Sequence, residues 1–206
     1  MPSGYALEFD GINDYVKVDN DASLTFDISG GIEIVADIKT NDISGGDTFS
    51  DDNPRYIIAK MAGSASTINY ALRVLGGRLQ FIARDSTNSH YIICAMEDHD
   101  IEVGVWYAVK LVHTGTQIKL YINGEEKKSV NNSDANLQST ADIFIGQEGT
   151  GYVRRFDGII ADLKITHNTN VEANWPMNEG IGSIIYDRST NTNNGTIYGA
   201  SWVSRR

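Results

Sequence analysis

Residues 31–40 read Gly-Ile-Glu-Ile-Val-Ala-Asp-Ile-Lys-Thr. Ile32, Ile34, Ala36 and Ile38 share one face, while Glu33 and Asp37 lie on the other. That period of two marks a strand with one face buried and one wet. Working outward, β-branched and aromatic runs of this kind recur at residues 5–9, 14–18, 56–61, 70–75, 79–84, 91–96, 106–113, 117–123, 143–146 and 156–166. Gly76-Gly77 reads as a two-residue hairpin turn, and Thr114-Gly115-Thr116 as a second turn. Residues 5–9 and 14–18 are expected to form a pair joined by Asp10-Gly11-Ile12-Asn13. Helical periodicity is almost lacking. Such spacing predicts an all-β fold, an antiparallel two-sheet β-sandwich. Residues 41–53 and 129–140 read as long exposed loops.

The chain has 206 residues, and 41% of them are hydrophobic, enough for one large sandwich with a proper core. A single domain over residues 1–206 is therefore expected. The formal net charge of -10 and the lack of a basic patch argue against nucleic-acid partners. No apolar stretch approaches the ~18 residues of a membrane span, so no membrane partner is expected either. Cys94 is the only cysteine, so an intramolecular disulfide is excluded. Its apolar neighbours predict a buried, inert thiol. The opening Met1-Pro2-Ser3-Gly4 has no basic or apolar leader pattern, which reads either as synthesis in the cytoplasm or as a fragment of a larger protein.

Three segments in order resemble the laminin G-like branch of the concanavalin A-like superfamily in bacteria and viruses. Residues 6–16, Ala-Leu-Glu-Phe-Asp-Gly-Ile-Asn-Asp-Tyr-Val, are similar to its L-x-F-D-G-x-D-D-Y-V opening. Trp106-Tyr107 followed by residues 118–124, Ile-Lys-Leu-Tyr-Ile-Asn-Gly, resembles its W…l-Y-v-N-G hairpin. Residues 143–146, Ile-Phe-Ile-Gly, then 156–165, Phe-Asp-Gly-Ile-Ile-Ala-Asp-Leu-Lys-Ile, resemble i-G…F-x-G-x-I-d-d-v-r-I. The tail, from Trp175 and Glu179-Gly180 through Asp187 to Asn194-Gly195, is similar to an element that usually comes before the first strand. Two accounts remain open. Residues 168–206 close the same sandwich as a permuted segment, or they begin a truncated second copy.

The resemblance implies a concanavalin A-like jelly roll and a structural calcium ion. Calcium takes six to eight oxygens. Asp10, Asn13, Asp14, Asp157 and Asp162 are its candidate ligands, with Asp10 and Asp162 indicated most directly. Without the ion, Asp10 would simply cap its own turn. The Asx-rich stretch 187–194 is a further candidate, although such residues are common in turns. Glucanases on this fold carry E-x-D-x-x-E; here Glu33 and Asp37 share a face without the third carboxylate, so no catalysis is expected. Two functions stay open. One is a surface-exposed virion decoration, fibre or tail-associated protein, a homo-oligomer or docked to other virion proteins, with glycan adhesion. The other is a free or enzyme-associated carbohydrate-binding module. Phe49, Tyr91 and Tyr152 are the candidate glycan contacts. The expected location is a virion or extracellular surface.

Overall fold

A computed structural model of the chain describes residues 4–44, 54–61, 68–149 and 154–205. The strands there are, in chain order, β1 (Tyr5–Asp10), β2 (Tyr15–Val18), β3 (Ile32–Thr40), β4 (Arg55–Met61), β5 (Ile68–Leu75), β6 (Arg78–Asp85), β7 (Tyr91–Ala95), β8 (Trp106–His113) and β9 (Gln117–Ile122). They continue as β10 (Glu125–Asn131), β11 (Ala135–Asn136), β12 (Ile143–Ile145), β13 (Asp157–His167), β14 (Asn170–Trp175), β15 (Ile184–Ile185), β16 (Gly195–Tyr198) and β17 (Ser201–Ser204). Helix is confined to two short 3-10 turns, Ala22–Leu24 and Ile28–Gly30, among the described residues.

The strands form two sheets in which every pairing is antiparallel. The first runs β10-β9-β8-β3-β13-β1-β17, with β14 added to β13. The second runs β11-β6-β5-β4-β12-β2-β16-β15, with β7 added to β6. Alternation in β3 is realised as read: Ile32, Ile34, Ala36 and Ile38 are buried, and Glu33 and Asp37 are not. Together with Leu111, Leu120, Ile160 and Leu163 from the first sheet, they join Val16, Ile58, Leu72, Val74 and Phe81 from the second in one core. Leu75 pairs with Arg78 across Gly76-Gly77, both glycines at positive φ, as the hairpin reading required. Cys94 is fully buried, which pushes its thiol up to about 12.

Two expectations are corrected. First, β1 and β2 do not pair: β1 lies between β13 and β17, and β2 between β12 and β16. Leu7 and Phe9 on one strand and Val16 and Val18 on the other all face the same core. The turn at 11–14 must therefore cross between layers about 10 Å apart rather than reverse within one. Gly11, at φ +72°, makes that turn. Second, residues 129–140 are not simply an exposed loop. The strand β10 runs to Asn131, and Ala135 and Leu137 enter the core.

The tail contributes to both sheets. Opposite β13 lies β14, beside β1 lies β17, and β16 pairs with β2. Trp175 is fully buried, and its indole N–H donates to the Asn193 carbonyl at 2.7 Å. The glycine of the Phe156-Asp157-Gly158 motif has its own steric reason. Gly158 sits at φ +140°, and a Cβ there would come within 2.2 Å of the Lys39 carbonyl oxygen. Only glycine lets β13 and β3 approach so closely at that end.

Candidate binding face

Between β12 and β13 the chain leaves the second sheet as a hairpin. Phe156 N–H donates to the Gly146 carbonyl and Glu148 N–H to the Arg154 carbonyl. This excursion brings Glu148 and Arg154 to the outer face of the second sheet, where Tyr56, Arg73 and Gln80 stand opposite one another on β4, β5 and β6. The five side chains bond to each other. The Tyr56 hydroxyl donates to Glu148 Oε1 at 3.1 Å and accepts from Arg73 at 3.2 Å. Arg73 also donates twice to Gln80 Oε1, at 3.1 and 2.9 Å. Arg154 donates to Glu148 Oε1 at 3.2 Å.

Burial sets the electrostatics of this network. It pushes the Tyr56 phenol up to about 12, against the pull of Arg73, and draws the Arg73 guanidinium down. Among the described residues, Glu148 Oε2 is buried without a hydrogen-bond partner. An acceptor left over inside a charged network is costly unless something donates to it. The network reaches solvent through Arg154, whose side chain keeps 28% of its exposure.

Toward the other end of the same face, Tyr198 on β16 stands opposite Tyr15 on β2. Their rings stack 4.6 Å apart, Phe144 tilts against Tyr15, and Tyr198 is 43% exposed. Between the aromatic pair and the far strands run Phe144, Ala59 and Ala71 in cross-strand register. Ala59, Ala71 and Phe144 are buried, as are Tyr56, Arg73, Gln80 and Glu148, so this face meets solvent through the Tyr15–Tyr198 stack at one end and Arg154 at the other. An exposed aromatic ring and a guanidinium at the surface suit a ligand with both a flat apolar face and hydroxyls.

Of the five residues proposed for calcium, Asp10, Asp14 and Asp157 line one groove, while Asn13 and Asp162 lie outside it. Asp10 and Asp157 are paired across β1 and β13, and Asp14 and Asn41 line the same groove. Asp10 Oδ1 accepts from the N–H groups of Ile12 and Asn13, which lowers its pKa, as turn capping does. Asp14 Oδ2 accepts from Asp10 N–H, while burial lifts its carboxyl above the ordinary value. Asp157 Oδ1 accepts from the Asn41 amide. Asn13 is exposed in the turn. Asp162 lies five residues further along β13 and is ion-paired with Arg205. Among the described residues no three acidic, His or Cys side chains are grouped to hold a metal ion. As a single calcium donor set, the five do not fit. In the 187–194 stretch the Asp187 carboxylate is likewise turned inward, accepting from the N–H groups of Asn174, Ser189 and Asn193.

Of the candidate glycan contacts, Tyr91 lies on β7, half-buried against Met61 and Ile82, with the Arg84 guanidinium 3.6 Å from its ring centroid. Phe49 and Tyr152 lie outside the described residues. Reading the sequence missed Tyr15, Tyr56, Arg73, Gln80, Glu148, Arg154 and Tyr198. The signal for two of them was present. Arg73 and Gln80 interrupt apolar strands at outward positions, but alternation marks such residues only as facing away from the core.

A family model of laminin G-like domains matches residues 10–172. The chain belongs to the concanavalin A-like lectin/glucanases superfamily. Solved structures with the same fold include a Bacteroides ovatus protein inferred to bind carbohydrate, with a TM-score of 0.71 and 15% identity over 99% of this chain and 60% of that one. Mouse laminin alpha1 domains LG4-5 superpose with a TM-score of 0.58 and 11% identity, over 91% of this chain and 46% of theirs. Domain 4 of an extracellular arabinanase of Geobacillus stearothermophilus, solved with arabinotriose, gives 0.57 and 17% identity over 81% and 76%. The chain thus spans less than two thirds of the Bacteroides chain and less than half of the laminin one. No curated protein matches the sequence. At these identities the likeness establishes the fold.

Proposed function

We propose that this chain is a non-catalytic glycan-binding module, displayed on a virion or another extracellular surface, whose ligand meets the second sheet at the Tyr198 ring and Arg154. The observation that carries this reading is the exposed Tyr198 ring, stacked on Tyr15, on the same sheet face whose buried Tyr56–Arg73–Gln80–Glu148 network holds Arg154 at the surface. Sugars present apolar C–H faces to aromatic rings and hydroxyls to amides, guanidinia and carboxylates, and this face offers both. The solved carbohydrate-binding neighbours of the same fold support it. Glu148 is the one carboxylate in the network, whereas retaining hydrolysis takes two about 5 Å apart, so the reading is binding rather than cleavage.

The test is a glycan array on the full chain, run with calcium and with a chelator, followed by titration of Arg154→Ala and Tyr198→Ala against the best ligand. Each substitution is expected to weaken binding about tenfold, the loss of one charged hydrogen bond or one stacking contact, with the β-sheet circular dichroism spectrum retained. An array with no ligand under either condition overturns the reading. Display on virions is checked separately, by whether the chain co-purifies with particles.

A further inference from the structure

An open cavity bounded by described residues lies away from this face, at the edge of the first sheet. It is a groove of about 600 Å³ between β14 and the loop that follows β15. Its walls include Asn170, Glu172, Asn174, Arg188, Thr190 and Asn191. Polar groups dominate it, so an apolar ligand would find little to bury against. The overall charge of -10 and the Glu172 carboxylate in its wall disfavour a polyanion.

Its walls are held in place before any ligand arrives. The Asp187 carboxylate, itself buried, accepts the N–H groups of Asn174 and Ser189 on one oxygen, both at 2.8 Å. Its other oxygen accepts the N–H of Asn193 at 2.8 Å and the Ser189 hydroxyl at 2.6 Å. Asn191 donates to both the carbonyl and Oε2 of Glu172, at 3.0 and 2.9 Å. Arg188 N–H donates to the Asn174 carbonyl at 2.7 Å, which ties the loop to β14. Fixed walls lower the ordering cost of binding.

Not all the polar groups are consumed by this scaffold. The side-chain amides of Asn170 and Asn174 and the Thr190 hydroxyl make no hydrogen bond among the described residues, and Glu172 keeps its second carboxylate oxygen. Beside Arg188 stands Tyr186, 46% exposed, with the guanidinium 5.5 Å from its ring centroid. Behind them Glu179 Oε1 accepts the Tyr186 N–H at 3.2 Å and lies 3.5 Å from the Arg188 guanidinium. Planar amides and a carboxylate spaced along a rigid wall match the vicinal hydroxyls of a sugar ring, and the exposed Tyr186 ring lies against Arg188, one of the lining residues.

We infer that this groove is a second carbohydrate site, taking a neutral oligosaccharide, separate from the outer face of the second sheet. The inference stands on the groove alone and does not need the sheet-face reading. Asn174 and Glu172 supply the hydrogen bonds to the sugar hydroxyls, and Tyr186 supplies the stacking surface.

The experiment is an amide-resolved NMR titration of the full chain with arabinotriose, cellotriose and mannotriose in turn. At least one sugar is expected to shift the amides of residues 170–174 and 186–191. Asn174→Ala and Glu172→Gln should each weaken that response about tenfold, while a response at Tyr198 or Arg154 is unchanged. Glu172→Gln keeps an acceptor for Asn191, so its loss of binding is not a loss of the loop. Shifts confined to the Tyr198 and Arg154 face overturn this inference and leave the sheet-face reading standing. Shifts confined to the groove support the inference and count against the sheet face. Groove shifts that both variants leave at wild-type strength overturn the assignment, and no shift with any of the three sugars overturns the groove as a neutral-sugar site.

Discussion

At the scale of single residues, the informative positions break the alternation that builds the fold. Lys60 lies in β4 yet is fully buried, with its ammonium donating to Asn20 Oδ1 at 2.7 Å and to the Leu24 carbonyl at 3.0 Å. Burial draws its pKa down to about 8, from roughly 10.4 in an unfolded chain. Between those values the unfolded chain holds the extra proton, so this residue makes stability rise with pH from about 8 to about 10. Below 8 the cost of charging the buried amine is fully present. Denaturant melts of wild type and Lys60→Met should therefore diverge across that window, wild type gaining about 1–3 kcal/mol relative to the variant. A difference that stays flat with pH would show an amine titrating at its ordinary value. Arg73, Gln80 and Lys60 were all visible in the sequence as polar residues within apolar strands. Whether each meets water, a partner or a closed face was not visible, because that depends on elements distant in sequence.

At the scale of elements, the crossing point of three strands is fastened from outside. Arg205, following β17, is ion-paired with both Asp37 on β3 and Asp162 on β13, and its guanidinium lies 5.1 Å from the Trp106 ring on β8. Asp162 sits at φ +50°, where the register of β13 against β3 shifts between Ala161 and Lys164. Such a bulge turns one residue out of the ladder, and here that residue is the one Arg205 meets. Arg205→Met is expected to cost about 1–3 kcal/mol, toward the low end because both carboxylates stay partly wetted. Urea melts should also show the variant less sensitive to salt than wild type. An unchanged midpoint would mean the pairs contribute nothing. The F-D-G-x-I-x-D pattern was readable in sequence as a motif; its aspartate is accounted for here by the Arg205 ion pair, and its glycine by the Lys39 carbonyl.

At the scale of the whole molecule, the two sheets are completed by the tail. Removing residues 194–206 takes away β16 and β17, leaving β2 and β1 with one unpaired edge each and withdrawing Asn194, whose Oδ1 accepts the Asp187 N–H. Open edges with apolar neighbours recruit other chains, so this truncation should elute as large aggregates in size-exclusion chromatography where the full chain does not. A monomeric, cooperatively melting truncation would show that the sandwich closes without its tail. The class of fold, the position of most strands and the burial of residues such as Ile34, Leu120 and Cys94 are all written in short stretches of chain. Side chains two apart on a strand share a face, so their pattern is local information. Strand pairing and layering, by contrast, put β1 and β2 in different sheets, turn Asp162 to Arg205 rather than Asp10, and bring Tyr198, Arg73 and Glu148 to one sheet face. Those relations join residues far apart along the chain, and they are fixed by which strands hydrogen-bond and how the layers stack, quantities that no short window of sequence contains.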